Sequence, residues 1–153
     1  MKVKGTVFTG VLRGSSMIDA YYPRLINILG FAPFKGTLNV KLALEFDIKK
    51  YSTKKISHIL LDATEHVDAY LAPIIFHAGS RSESCWALWH TSHVYGKDTV
   101  EVISKENMKS KFGIKDGDEV EIEFSEQPKK LKKIPGMGFV AKLYGRETQL
   151  TKS

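Results

Sequence analysis

Two uncharged, oxygen-bearing side chains, Thr37 and Asn39, stand two residues apart where an apolar stretch leaves a tight turn. The stretch runs Leu29-Gly30-Phe31-Ala32-Pro33-Phe34-Lys35-Gly36-Thr37-Leu38-Asn39-Val40-Lys41-Leu42. A strand repeats every two residues, so Thr37 and Asn39 project on one face and Leu38 and Val40 on the other. Such a pair can hold a hard cation whose charge is neutralised mainly by something else, such as a bound polyphosphate. The same spacing also describes the polar face of a half-exposed strand. A second candidate is Gly10-Val11-Leu12-Arg13-Gly14-Ser15-Ser16. Its glycines let the backbone approach a ligand, its N–H groups can seat phosphate, and Arg13 adds a cation. A plain hairpin turn has the same composition. Glu101 lies inside the apolar run Val100-Glu101-Val102-Ile103. Facing inward it needs a partner or a ligand donor; facing outward it is merely solvated.

Other chemistry has little support. Gly96-Lys97 is followed by Asp98, so there is no Walker loop, and the protein-kinase signatures and the G-x-S-x-G elbow are absent too. His90 and His93, with His77 nearby, hint at a metal, but no zinc-type pattern of Asp, Glu or Cys accompanies them. Ordinary surface or ligand-contact histidines are the simpler reading. Cys85 beside Trp86 reads as a buried small hydrophobe.

These residues must be positioned by short elements. Residues 3–12 read as a strand rich in β-branched side chains. Residues 19–29 read as a helix capped by Asp19, with Pro23 in its first turn and Gly30 closing it. Residues 37–46 form the strand that carries Thr37 and Asn39. Residues 56–63 and 66–78 read as short strands, and Pro73 puts the second at an edge or starts it. A polar turn over 78–84 precedes a strand from Cys85 to Trp89, and a polar connection leads to a strand over 100–103. A short helix over 105–112 and a turn over 113–118 lead to Glu119-Val120-Glu121-Ile122-Glu123-Phe124, the cleanest alternation in the chain. Many short strands with few helices predict a small β-barrel or sandwich.

The chain has 153 residues, 42% hydrophobic and 26% charged, which suits one globular domain with a real core. No apolar run approaches the ~20 residues that span a bilayer, and the first residues lack the apolar core of a signal peptide. With a single cysteine no internal disulfide can form. The expected location is cytoplasmic. The formal charge is +6, and all of the excess lies in residues 127–153, where Lys129, Lys130, Lys132, Lys133, Lys142, Arg146 and Lys152 face only Glu147. A neutral body of residues 1–126 therefore precedes a basic extension of residues 127–153.

The central stretch, followed by Phe46-Asp47-Ile48, resembles the archaeal CTP-dependent riboflavin kinases. The resemblance continues through Leu71-Ala72-Pro73-Ile74-Ile75, Lys97-Asp98-Thr99-Val100-Glu101-Val102-Ile103 and Phe112-Gly113-Ile114-Lys115-Asp116-Gly117-Asp118. It covers residues 3–124. It implies a mainly β fold, a small six-stranded cradle-loop barrel with Greek-key character and one or two short helices. It also implies transfer of the γ-phosphoryl group of CTP to the 5′-hydroxyl of riboflavin, giving FMN and CDP.

By the same resemblance Thr37 and Asn39 match the family's Mg²⁺ ligands. Gly10, Val11, Leu12, Arg13, Gly14 and Ser15 match its first nucleotide-binding loop. Glu106, Asn107, Met108 and Lys109 match its second. Glu101 matches a flavin-contacting glutamate. His93 takes the place of a flavin-contacting threonine, with Thr91 two residues earlier. The expected ligands are CTP/CDP and riboflavin/FMN, and the expected state is a monomer with no membrane partner. Two other readings compete. One is a member of this fold that binds nucleotide or flavin without turnover. The other is a nucleic-acid-binding barrel, since Ile114-Lys115-Asp116-Gly117-Asp118-Glu119-Val120-Glu121-Ile122 is similar to swapped-hairpin DNA-binding barrels and the Lys129–Lys133 cluster suits phosphates.

Overall fold

In the first strand, β1 (Lys2–Phe8), the pattern Lys-Val-Lys-Gly-Thr-Val-Phe places Val3, Gly5 and Val7 inward and lysines and threonine outward. The same period-two rule builds β2 (Leu38–Leu42) and β7 (Glu119–Phe124), whereas β3 (Lys54–Leu60) breaks it at a bulge between buried Ile56 and Ile59. Strands β4 (His66–Ala78), β5 (Arg81–His90) and β6 (Thr99–Ile103) each bury adjacent residues because both of their faces are covered. A computed structural model describes residues 1–10, 19–60, 66–91, 96–125, 132–134 and 138–140. All strand pairs are antiparallel, in the order β3-β4-β5-β6-β2-β1-β7, and β7 pairs back onto β4. That last pairing closes a six-stranded barrel from β4 to β7 and leaves β3 as an added strand outside the ring. The expected barrel is therefore present. Its described helices are α1 (Tyr22–Leu29) and α2 (Met108–Phe112), with a 3₁₀ turn at Ile48–Tyr51.

The barrel interior is filled from every strand, with Val7, Val40, Phe76, Ala87, Val102 and Ile122 among its buried side chains. A second core lies outside the ring. There Tyr21 and Leu25 of the α1 segment pack with Ile56 and Ile59 of β3 against Ala69, Leu71, Leu88 and Ile103. The outer face of β4, β5 and β6 is thus partly covered by one helix.

Three sequence expectations need correction. Asp19 does not cap α1: the N-cap is Tyr21, with no side-chain cap, and Asp19 pairs instead with Lys35 at 3.0 Å. Pro23 does fall in the first turn, and Gly30 does close the helix in the left-handed region at φ 81°. Second, the polar stretch 78–84 is mostly strand. Only Gly79 and Ser80 turn, and β5 begins at Arg81. Third, Pro73 neither starts nor edges its strand, which runs unbroken for 13 residues. On one side Pro73 pairs with Trp86. On the other side β4 changes partner, from β3 up to Leu71 to β7 from Ile74 onward. The proline sits in that gap, where a missing N–H costs no ladder bond.

Candidate functional site

The turn that delivers Thr37 is held from three directions. The Tyr22 hydroxyl donates to the Pro33 carbonyl, the Phe34 N–H donates to the Ser104 carbonyl at 2.8 Å, and Lys35 pairs with Asp19. Strand β2 then begins, and its buried Leu38, Val40 and Leu42 leave Asn39 on the outer face. Asn39 stands directly opposite Glu101 on β6, and on its other side opposite Phe8, the last residue of β1. Neighbouring strands are about 4.8 Å apart, so Asn39 and Glu101 share one patch of the barrel wall.

Glu101 faces neither open solvent nor the barrel interior. Its side chain is 13% exposed and both oxygens are engaged. The Thr37 hydroxyl donates to Oε1 at 2.8 Å, and His90 Nδ1 lies 3.2 Å from Oε2. His90 Nε2 in turn lies 2.8 Å from the Tyr21 hydroxyl, with the two rings edge to face. Tyr21 is 1% and His90 7% exposed. Burial, and then the Glu101 charge, push the Tyr21 phenol well above its usual range, so it stays protonated. A continuous polar line thus runs from a helix-start tyrosine to a strand-start threonine.

The segment Glu106-Asn107-Met108-Lys109 lies nearby. Beyond Phe8, the Thr9 hydroxyl donates to Asp116, and Lys109 Nζ reaches the same carboxylate at 2.9 Å. The Thr9 hydroxyl first, then Lys109, hold the Asp116 carboxyl below its usual range. Gly10 therefore leaves the barrel beside both Asn39 and the α2 segment. Asn107 spends its side chain capping α2, accepting from Lys109 N–H and Ser110 N–H, and Met108 is buried in the barrel core. Glu106 pairs with Lys111, which also pairs with Glu83. Burial works to raise Glu83, but Lys111 and the Ser104 hydroxyl hold it below its usual range. Next to these residues a cleft of about 840 Å³ opens on the outer face, walled by Phe31, Pro73, Ile75 and Trp86.

Other candidates fall elsewhere. The Thr91 hydroxyl accepts from the Asp68 N–H at 2.9 Å, which ties it to β4. His77 pairs with Glu123 at 2.9 Å. Cys85 is buried, and its thiol is pushed up to about 12 by burial and by Glu83. Val11, Leu12, Arg13, Gly14, Ser15 and His93 lie outside the described residues, as do the side chains of the basic extension. Tyr21, Thr9 and Asp116 were missed in the sequence. So was the role of His90, although its strand parity with Trp86 and Leu88 put it on the face that α1 covers.

Comparison with known proteins adds a second line of evidence. Residues 7–124 match the family model CTP-dep_RFKase, described as a domain of unknown function, DUF120. The chain is 28% identical over 125 residues to a riboflavin kinase of Methanococcus vannielii, covering 80% of this chain and 96% of that protein. It is 29% identical over 133 residues to a riboflavin kinase of Saccharolobus solfataricus, covering 80% and 73%. A riboflavin kinase of Archaeoglobus fulgidus is 30% identical over 130 residues, but there the chain spans only 54% of the relative.

Proposed function

Because the chain belongs to the CTP-dependent riboflavin kinase family, we propose that it transfers the γ-phosphoryl group of CTP to the 5′-hydroxyl of riboflavin. The observation that carries this reading is the outer-face cluster of Thr37, Asn39 and Glu101, set beside the strand end that leads into the Gly10 loop. Phosphoryl transfer asks a protein for positioning and charge neutralisation more than for covalent chemistry.

The donor set fits Mg²⁺. Thr37 and Asn39 offer two neutral oxygens, and Mg²⁺ takes few protein ligands when phosphates and water supply the rest. Once bound, the ion would neutralise charge on the transferring phosphate. The remaining work falls to the chain. Glu101 takes the Thr37 hydroxyl proton as a hydrogen bond, leaving that oxygen's lone pairs for a cation. Lys109, held by Asp116, would face the phosphates. A separate cleft, lined by Phe31, Trp86, Glu106 and Lys111 and by none of Thr37, Asn39, Glu101 or Lys109, offers an aromatic wall to a planar ring, and its volume is ordinary for a small-molecule site. In the transfer the ribityl oxygen's lone pair forms the new P–O bond. The β–γ bridge breaks with its electrons going to CDP, and the hydroxyl proton passes to solvent.

The barrel would act alone, as a monomer in the cytoplasm; no helix among the described residues is long and apolar enough to cross a membrane. Residues 127–153 form a separate basic unit in this reading, and the short strands β8 (Lys132–Ile134) and β9 (Gly138–Val140) pair with each other.

The test is to incubate the protein with riboflavin and Mg²⁺, adding CTP or ATP in parallel, and to look for FMN. FMN with CTP and not ATP is expected. Ligand binding without FMN would favour the non-catalytic member of the fold. Salt-dependent DNA retention with no flavin affinity would favour the nucleic-acid reading.

A further inference from the structure

We infer that His90, clamped by Tyr21, is a positioning residue that holds Glu101 so that Thr37 presents its lone pairs, and not its proton, to a cation. The inference rests on the reading of Thr37 as a cation ligand. A threonine hydroxyl can bind a metal only through its oxygen, so its hydrogen must be accepted elsewhere. Glu101 Oε1 is that acceptor here, at 2.8 Å. The carboxylate hangs from a single strand residue and could rotate away, but its second oxygen is held by His90 Nδ1 at 3.2 Å.

The imidazole is oriented in its turn. A neutral ring carries one N–H, and placing it on Nε2 would set the Nδ1 lone pair against a carboxylate. The proton therefore belongs on Nδ1, where it donates to Glu101. Nε2 then accepts from the Tyr21 hydroxyl at 2.8 Å. Tyr21 belongs to the outer core beneath α1, so the orientation is anchored in packing and not in the loop that carries Thr37. Partners one step beyond a ligand commonly change metal affinity or activity by about 10–100-fold.

The full-length protein tests this in two ways. Nitrogen-15 spectra of the substrate-free protein in mildly alkaline buffer read the His90 tautomer. The expected result is a proton on Nδ1 in the wild type and a mixture of tautomers in Tyr21→Phe. Mn²⁺ titration in the presence of CTP, followed by water-proton relaxation, reads cation affinity without turnover. His90→Leu and Tyr21→Phe should each weaken it by about tenfold. His90→Gln, whose amide can still donate to Glu101, should recover part of the loss. CTP binding without metal should not change. Tyr21→Phe keeps the ring, so it serves if His90→Leu fails to fold.

A wild-type proton on Nε2 overturns the inference. So does unchanged Mn²⁺ affinity in a folded Tyr21→Phe. If the wild type binds Mn²⁺ with CTP yet makes no FMN, the kinase reading falls and the positioning role is still decided by the titration. If it does not bind Mn²⁺ with CTP at all, both fall.

Discussion

Thr9 and Lys109 meet on one carboxylate: the Thr9 hydroxyl and Lys109 Nζ both bond to Asp116. The end of the first strand is thereby tied to the helix that follows the sixth strand. In the proposed kinase reading Asp116 acts indirectly, by fixing the Lys109 cation and the strand end at Thr9. Asp116→Ala is expected to raise the KM for CTP several-fold with a smaller change in kcat. A KM for riboflavin that rose equally would refute a role confined to the nucleotide side, and steady-state rates with each substrate varied in turn decide it.

The Thr37 oxygen can be tested by size. Thr37→Ser keeps the hydroxyl that donates to Glu101, whereas Thr37→Val keeps the shape and loses the oxygen. Turnover in the valine variant should fall by about a hundredfold or more, the range seen when one charge-stabilising donor is removed. The serine variant should stay within about tenfold of wild type. Asn39→Ala should abolish turnover, and because Asn39 is only half-buried its melting temperature should hardly move. Equal rates for serine and valine at position 37 would remove the basis for a cation there.

Acid should destabilise the fold through specific carboxylates. Asp68 is held below its usual range chiefly by the His58 N–H, Asp116 by the Thr9 hydroxyl and Glu123 by His77. Each keeps its charge further into acid in the folded chain than in the unfolded one. Between the two values the unfolded chain binds more protons, so stability falls as pH falls. The contribution is complete above the unfolded range near 4 and disappears below the folded values. Thermal melts should be flat from neutral pH down to about 5 and drop beneath it. Asp116→Asn should make that drop shallower. Asp116 is exposed and the Asp68 and Glu123 side chains are 32% and 35% exposed, so solvent screening keeps each effect small.

What the residues alone revealed follows from period and turn chemistry. The alternation in Glu119–Phe124 and Leu38–Leu42, and the glycine after Leu29, report local geometry: the last strand and the helix end stand where they were read, while β2 stops at Leu42, short of the expected 46, and α1 starts at Tyr22 and not at 19. Pro73 misled because its cost depends on which strand lies beside it, and the change from β3 to β7 at that point is a tertiary fact. Asp19 had the chemistry of a cap, but Lys35 from the following turn takes its carboxylate. The site divides in the same way. The spacing of Thr37 and Asn39 put both on the face opposite Leu38 and Val40, where they flank Glu101; their reading as cation ligands came from the family resemblance and is a proposal. The line from Tyr21 through His90 to Glu101 joins residues 69 and 11 positions apart, and no local pattern encodes that contact.

The barrel wall sets a last constraint, at Gly5. It faces the interior of β1, between Leu42 of β2 and Val120 of β7. A Cβ there would lie 2.5 Å from Val40 Cγ1 and 3.0 Å from the Lys41 carbonyl oxygen. Val40 can turn only by entering a filled core, and the carbonyl belongs to the same strand that carries the outward-facing Asn39 two residues earlier. Gly5→Ala should therefore push β2 away from β1, costing about 1–3 kcal/mol, the usual range for overpacking. Because Asn39 lies three residues from Leu42 on that same strand, turnover should fall as well, by more than the loss of folded protein explains. Urea unfolding read beside activity per folded molecule checks both. A fully stable Gly5→Ala would mean that the β1–β2 contact is looser than these distances require.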